Sequence, residues 1–211
     1  MLILMINRKM TSYNLKDIII NEILMPSIFR LYKKDYFNIY YHATERNICA
    51  RLAHHMENIM RCCDNNILFI SYYVDVEYNL MGAGNSKYYQ YHTSNPKYMV
   101  SDLLIHGRGC LQNMLAIELK KKGQSRKVKE DKERLVSLVS SMSDNPESQY
   151  IYETIVGAFI TYSREDVKIE LFEDINGHGE KTREIEFVCN ADGDRFLSLD
   201  MTRDSLNTST S

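Results

Sequence analysis

Two apolar runs separated by a glycine-rich link constrain the fold of this chain more than any other feature. They lie in MVSDLLIHGRGCLQNMLAIELKK, residues 99–121. Apolar and β-branched side chains on both sides of such a link predict a hairpin of two strands. Side chains alternate along a strand, so Glu118 and Lys120 share one face while Leu119 points to the core. The hairpin brings Asp102 beside Glu118, about 5 Å away.

The remaining patterns surround this hairpin with helices and further strands. Apolar residues recur at helical spacing before the hairpin, and Thr44 is placed to cap the second helix. The predicted helices cover 15–33, 44–62 and an amphipathic stretch within 122–146. The predicted strands outside the hairpin lie in 66–82, 153–163, 166–177 and 183–190. The order α, α, β, β, β, α, β, β predicts an α/β chain, an α+β mixed sheet flanked by helices.

Length and composition are those of one domain. With 211 residues, 44% of them hydrophobic, the chain can bury a stable core without the help of disulfide bonds or structural metal ions. We expect a single domain over 1–200 and a disordered tail over 201–211, where small polar residues prevail. The start, MLILMINRKM, is too short an apolar run for a secretory signal or a membrane span, which favours a cytoplasmic protein without a membrane partner. Five cysteines without metal-ligand spacing favour reduced thiols.

Charge is distributed unevenly along the chain. The net charge is −2, yet residues 120–134 hold eight basic and three acidic residues, whereas 165–204 hold twelve acidic and five basic ones. A nucleic acid would meet the first of these segments. The candidate contacts to a phosphate backbone are Lys121, Lys122, Arg126 and Lys127. A solvated loop and helix face is the alternative interpretation of this basic run.

The hairpin's charged face has a definite chemistry. Two carboxylates as close as those of Asp102 and Glu118 repel each other, and a cation removes that penalty. An oxygen-lined site with few ligands suits Mg²⁺ or Mn²⁺, and Lys120 could then orient a water or stabilise charge on phosphate oxygens. The alternative is a surface-facing edge of an amphipathic hairpin, with a cross-strand ion pair worth under about 1 kcal/mol.

The same residues carry a resemblance to a known family. Asp102, fifteen intervening residues and the triplet ELK at 118–120 resemble the D…(D/E)xK signature of the PD-(D/E)xK nuclease superfamily, which has the restriction-endonuclease-like fold. Ser101 stands where the superfamily name has proline. The blocks VDVEYN, SDLLIHGRG, NMLAIELKK and DKERL resemble, in the same order, those of an uncharacterised bacterial group within it, over roughly residues 44–162. The resemblance implies an αβββαβ core, preceded here by an added N-terminal helical extension over 12–40.

Carried over residue by residue, the resemblance assigns roles within this site. It implies that Asp102 and Glu118 bind a metal ion, Mg²⁺ or Mn²⁺. The backbone carbonyl of Leu119 would add a third ligand, and Lys120 would be catalytic. Glu45 resembles the extra acidic residue that in many members contacts a metal-bound water or a second metal. Its place in the first turn of a helix equally suits an acid that complements the helix dipole.

The function that this resemblance implies is a Mg²⁺-dependent endonuclease that hydrolyses phosphodiester bonds of nucleic acid, with DNA preferred to RNA. The superfamily's habit of pairing active sites on two strands implies a homodimer. A role in defence, restriction or a mobile element follows by analogy alone, because fold and site residues do not choose a pathway. The alternative is a nuclease-fold module with weak or no catalysis that serves nucleic-acid binding or protein assembly.

Overall fold

A computed structural model of the chain describes residues 12–78, 88–89, 97–98, 100–107, 113–141 and 154–206. Within these residues the α-helices are α1 (Ser12–Ile18), α2 (Met25–Tyr40), α3 (Glu45–Cys62) and α4 (Val128–Val139). The strands are β1 (Tyr72–Tyr78), β2 (Tyr88–Tyr89), β3 (Lys97–Tyr98), β4 (Ser101–Gly107), β5 (Asn113–Lys121), β6 (Thr154–Tyr162), β7 (Asp166–Ile175), β8 (His178–Asp192) and β9 (Arg195–Leu206).

Seven of the described strands form one mixed sheet, in the order β1-β4-β5-β6-β7-β8-β9. Neighbouring strands run antiparallel except β5 and β6, which are parallel. A parallel pair needs a crossover connection, and α4 lies in the connection between these two strands. The short strands β2 and β3 pair separately. The predicted mixed sheet with flanking helices, and the N-terminal helix, are therefore confirmed.

Two apolar cores lie on opposite faces of the sheet. Leu103 and Ile117 belong to the larger core, which the helices α2 and α3 cover. Leu104 and Ala116, their neighbours along β4 and β5, belong to a smaller core under α4. Alternation along the hairpin strands thus separates two buried faces, because helices pack on both sides of the sheet. Any charged side chain in the middle of the hairpin is therefore enclosed by protein.

The N-terminal helical segment is longer than the helix predicted over 15–33. A π-helical turn, Ile19–Leu24, joins α1 to α2, and Pro26 occupies the first turn of α2. The Tyr32 hydroxyl donates to the carbonyl oxygens of Ser163 and Asp166, at 2.9 and 3.0 Å. These bonds tie α2 to the turn between β6 and β7.

Two predicted elements differ from the structure. Residues 66–69, predicted as the start of a strand, form a 3₁₀ helix, and β1 begins only at Tyr72. Residues 201–206, predicted as part of a disordered tail, form the second half of β9, while 207–211 lie outside the described residues. The polar side chains of this edge strand pair with β8, as in the 2.6 Å bond between Arg183 Nη2 and Asp204 Oδ2.

Candidate active site between β4, β5, α3 and α4

The two carboxylates of the hairpin lie side by side. β4 and β5 pair with Leu103 opposite Ile117, which sets Asp102 opposite Glu118. Oδ2 of Asp102 accepts a 2.8 Å hydrogen bond from the backbone N–H of Leu119, one residue further along β5. The structure therefore brings together the two residues that the sequence pattern pairs, and it fixes the orientation of Asp102.

Burial distinguishes this pair from a solvent-facing one. Glu118 is only 1% exposed, because α4 covers the face of the sheet to which it points. Asp102, near the start of β4, is partly exposed and lines a pocket. The alternative of a surface ion pair on an amphipathic hairpin is wrong for Glu118. A carboxylate in that position requires compensating partners.

Two partners of the hairpin come from α4, and the sequence analysis did not assign either of them. Nη1 of Arg134 donates to Oε1 of Glu118 at 2.6 Å and to the carbonyl oxygen of Val100 at 3.0 Å. Nη2 of the same guanidinium donates to Oδ1 of Asp131 at 3.1 Å, one helical turn away. The sequence feature that indicates this pair is the i,i+3 spacing of Asp131 and Arg134, which places both on the helix face of the buried Leu135.

Lys120 joins the helices α3 and α4 at the end of β5. Its Nζ lies 3.2 Å from Oε1 of Glu45 and 3.4 Å from Oδ2 of Asp131, and its side chain is only 15% exposed. Glu45 follows the helix cap Thr44 directly, so the local cap places its carboxylate at the site. Oε2 of Glu45 is buried and accepts no hydrogen bond from a described residue, whereas the buried Oδ2 of Asp131 has the ion pair with Lys120. The site thus retains an enclosed oxygen acceptor on Glu45.

The pKa shifts follow from burial and crowding of like charge. Burial raises the pKa of Glu118 well above its usual range, Asp102 adds to the rise, and Arg134 opposes it. Burial also raises the pKa of Asp102, against the hydrogen bond from Leu119, and the charge of Glu45 raises it further. For Lys120, burial lowers the pKa, but the nearby carboxylates, Asp131 first, outweigh it and raise the pKa overall.

Six charged side chains form one cluster at the hairpin: the carboxylates of Asp102, Glu118, Asp131 and Glu45 and the cationic groups of Lys120 and Arg134. When all six are ionised, the formal charge of the cluster is −2. A divalent cation would restore neutrality. The described residues contain no group of three or more His, Cys, Asp or Glu side chains arranged to hold a metal ion. The donor set fits Mg²⁺, which is commonly held by one or two carboxylates and keeps several waters.

A pocket of about 440 Å³ opens beside the carboxylates, between the start of α3 and β1. Asp102 and Glu45 line it together with Cys49. Burial and the negative charge of Asp102 raise the pKa of the Cys49 thiol, so it is protonated at neutral pH. A protonated thiol is a poor nucleophile, and the chemistry of this pocket is therefore that of its carboxylates.

The predicted nucleic-acid contacts lie in the loop that leaves β5. Lys122, Arg126 and Lys127 are exposed, and Lys127 has a left-handed backbone with φ of 66° immediately before α4. Lys121 Nζ lies 3.0 Å from Nδ1 of His42, and Lys122 pairs with Asp166. The basic loop therefore follows the end of the strand that carries Glu118 and Lys120.

In the part of the chain that the structure describes, no helix is long and apolar enough to cross a membrane. Comparisons with family models, with curated proteins and with solved structures found no match to this chain.

Proposed function

We propose that the protein is a divalent-metal-dependent nuclease that hydrolyses phosphodiester bonds, preferably of DNA. The observation that carries this proposal is the pairing of Asp102 with Glu118 on adjacent strands, within a cluster of four carboxylates and two cationic groups. Lys120 lies two residues along the same strand and reaches the same cluster. Paired carboxylates with an adjacent ammonium group suit metal-assisted attack of water on a phosphate.

The topology gives independent support to this proposal. The helix α3, the antiparallel strands β1, β4 and β5, the crossover helix α4 and the parallel strand β6 occur in that order in the chain, with the separate pair β2 and β3 between β1 and β4. The four strands β1, β4, β5 and β6 are neighbours in the sheet in the same order. This is the sequence of elements expected for an αβββαβ nuclease core. Fold alone does not define an activity, whereas the side chains clustered at the hairpin have the chemistry that the proposed reaction requires.

In the proposed reaction the residues at the hairpin would have different roles. Asp102 and Glu118 would hold the metal ion, with the Leu119 carbonyl as a further ligand. When bound, that ion supplies Lewis acidity at the phosphate and lowers the pKa of a water. Lys120, held between Glu45 and Asp131, is positioned to donate hydrogen bonds to the charge that grows on the phosphate oxygens.

Cleavage assays with a charge-removing variant test the proposal. We expect the wild type to cut plasmid DNA in Mg²⁺ or Mn²⁺, and Lys120→Ala to lose at least ~10²-fold in rate, as for removal of a preorganised donor. Lys33→Ala is the matched control, because Lys33 is exposed on α2 and lies outside the basic segment 120–134. Equal cutting by Lys120→Ala and Lys33→Ala would contradict the assignment. RNA and single-stranded DNA, tested in parallel, define the substrate.

A second candidate function is a nuclease-fold module that binds nucleic acid or another protein without cutting. The bond from Arg134 to Glu118 favours it, because this carboxylate already has a cationic partner. Calorimetric titration with Mn²⁺ separates the two functions. The nuclease requires binding by the wild type and its loss in Glu118→Gln, whereas nucleic-acid binding without metal binding supports the module. Light scattering tests the proposed homodimer.

A further inference from the structure

A bidentate ion pair lies at the mouth of the pocket beside the carboxylates. Arg46, on the first turn of α3, donates from Nε and Nη2 to Oε1 of Glu77 at 3.0 and 2.8 Å, and from Nη2 to Oε2 at 2.6 Å. Both residues line the pocket that Asp102 and Glu45 share. The arginine side chain remains 73% exposed, so its guanidinium is oriented yet accessible to a ligand.

The backbone of Glu77 is held in an uncommon conformation at this point. Its φ is 53°, in the left-handed region that non-glycine residues rarely adopt. The pairing of Val76 with Leu103 and of Tyr78 with Ser101 leaves Glu77 opposite Asp102. An extended backbone would direct both carboxylates to one face, where like charges repel. The left-handed backbone conformation of Glu77 instead directs its carboxylate to Arg46.

The geometry leaves one edge of the guanidinium for a ligand. The bonds to Glu77 use Nε and Nη2, and Nη1 has no hydrogen-bond partner among the described residues. A guanidinium presents planar donors that match phosphate oxygens, and a carboxylate behind it reduces the entropy lost on binding. Strained backbone is commonly retained where it positions a functional group.

We propose that Arg46 binds a backbone phosphate of the nucleic acid and that Glu77 positions its guanidinium for that contact. This inference rests on the proposed nuclease function, because the phosphate belongs to the strand whose scissile bond lies at Asp102 and Lys120. Arg46 is thus a substrate-binding residue, and Glu77 is a positioning residue. Neither residue takes part in the attack on phosphorus.

The same helix offers a matched control. Arg61, in the last turn of α3, donates to Glu57 at 2.8 Å and has a side chain that is 70% exposed. It therefore resembles Arg46 in residue type, ion pairing and exposure, but it does not line the pocket. An exposed pair of this kind contributes little to stability, so both arginines can be replaced in a folded protein.

The test compares the wild type with Arg46→Ala, Arg46→Lys, Glu77→Gln and Arg61→Ala. Binding of a fluorescent DNA duplex is measured by anisotropy in EDTA at several salt concentrations, and KM and kcat are measured in Mg²⁺. For Arg46→Ala we expect about tenfold weaker binding, a similar rise in KM, an almost unchanged kcat, and a salt slope lower by about 1. Arg46→Lys keeps the charge and the salt slope but loses part of the affinity, because it lacks the planar fork.

The binding and kinetic results distinguish the phosphate contact of Arg46 from the proposed nuclease activity. Glu77→Gln is expected to raise KM by less than Arg46→Ala, since it weakens the orientation of the guanidinium but leaves it in place. A wild type that binds and cuts while Arg46→Ala behaves like Arg61→Ala overturns the phosphate contact alone. A loss of kcat without a rise in KM also overturns it. A wild type that neither binds nor cuts any nucleic acid overturns both proposals.

Discussion

Glu118 shows most clearly how single residues define this site. A carboxylate that is 1% exposed is stable only if its charge is compensated, and Arg134 supplies a direct partner at 2.6 Å. The same guanidinium also holds Asp131 on its own helix. Removal of one member of such a pair leaves the other buried and uncompensated, which costs more than the pair contributes.

This asymmetry predicts strongly non-additive mutational effects. Arg134→Met is expected to lower the free energy of unfolding by about 3 kcal/mol, because Glu118 then lacks its partner. Arg134→Met combined with Glu118→Gln should lose less than the sum of the two single variants, since neither charge remains. Urea unfolding of the four proteins measures this coupling. Additive losses would contradict a direct bond between the two side chains.

The residues that could be predicted from the sequence are those that local periodicity places together. Alternation along two strands joined by a short segment of sequence predicts that Asp102 lies beside Glu118, with Lys120 on the same face. Arg134 could not be paired with Glu118 in this way. Its contact depends on how α4 docks onto the sheet, and docking is determined by packing across the whole domain rather than by spacing within the helix.

The docking of α4 onto the sheet brings Arg134 to Glu118. Gly179 on β8 lies directly beneath this helix, and a Cβ at that position would collide with the backbone carbonyl of Val136 and with the Val139 side chain. A backbone group cannot move aside without shifting the helix. The close approach of α4 to β8 therefore depends on a residue without a side chain.

Gly179→Ala tests this close approach. We expect it to lower the free energy of unfolding by about 1–3 kcal/mol, the usual range for overpacking. Gly157→Ala on β6 is the comparison, because the nearest atoms to its Cβ would be side-chain atoms of Phe172, Val139 and Leu135 at 3.3–3.4 Å, whereas that of Gly179 would meet the backbone of α4. Thermal or urea unfolding measures both. A loss from Gly179→Ala no larger than that from Gly157→Ala would contradict the packing of α4.

Secondary structure was predicted well where the buried residues follow the hydrophobic periodicity of the sequence. It was predicted poorly where apolar residues are exposed or where a strand is polar. Residues 67–70 are apolar, yet Ile67 and Ile70 are exposed in and after a 3₁₀ helix, so hydrophobicity there does not mark a strand. The second half of β9 is polar and has the composition of a tail. It forms a strand because β8 supplies backbone and ionic partners, which a single segment of sequence does not reveal.

Many charged residues of 165–204 form ion pairs with one another across the strands of the sheet. Glu184 on β8 is the centre of this network, with its oxygens 3.0 Å from the ammonium nitrogens of Lys168 and Lys181 and 2.9 Å from Nη1 of Arg203. The hydrogen bond from Lys168 is the largest cause that lowers the pKa of Glu184, from an ordinary 4.5 to about 2. The acidic excess of this segment is thus partly neutralised within the sheet.

A lowered pKa in the folded state predicts that the protein loses stability in acid. The unfolded chain binds a proton at Glu184 near pH 4.5, whereas the folded protein does so only near pH 2. The stabilisation by Glu184 is therefore complete above about pH 4.5 and declines as the pH falls toward 2. Glu184→Gln should be less stable than the wild type at pH 6, and the difference should shrink toward pH 2. Urea unfolding across this range measures the difference, with Glu180→Gln, an exposed position on the same strand, as the control. A difference that does not change with pH would mean that Glu184 stabilises the sheet by packing rather than by charge.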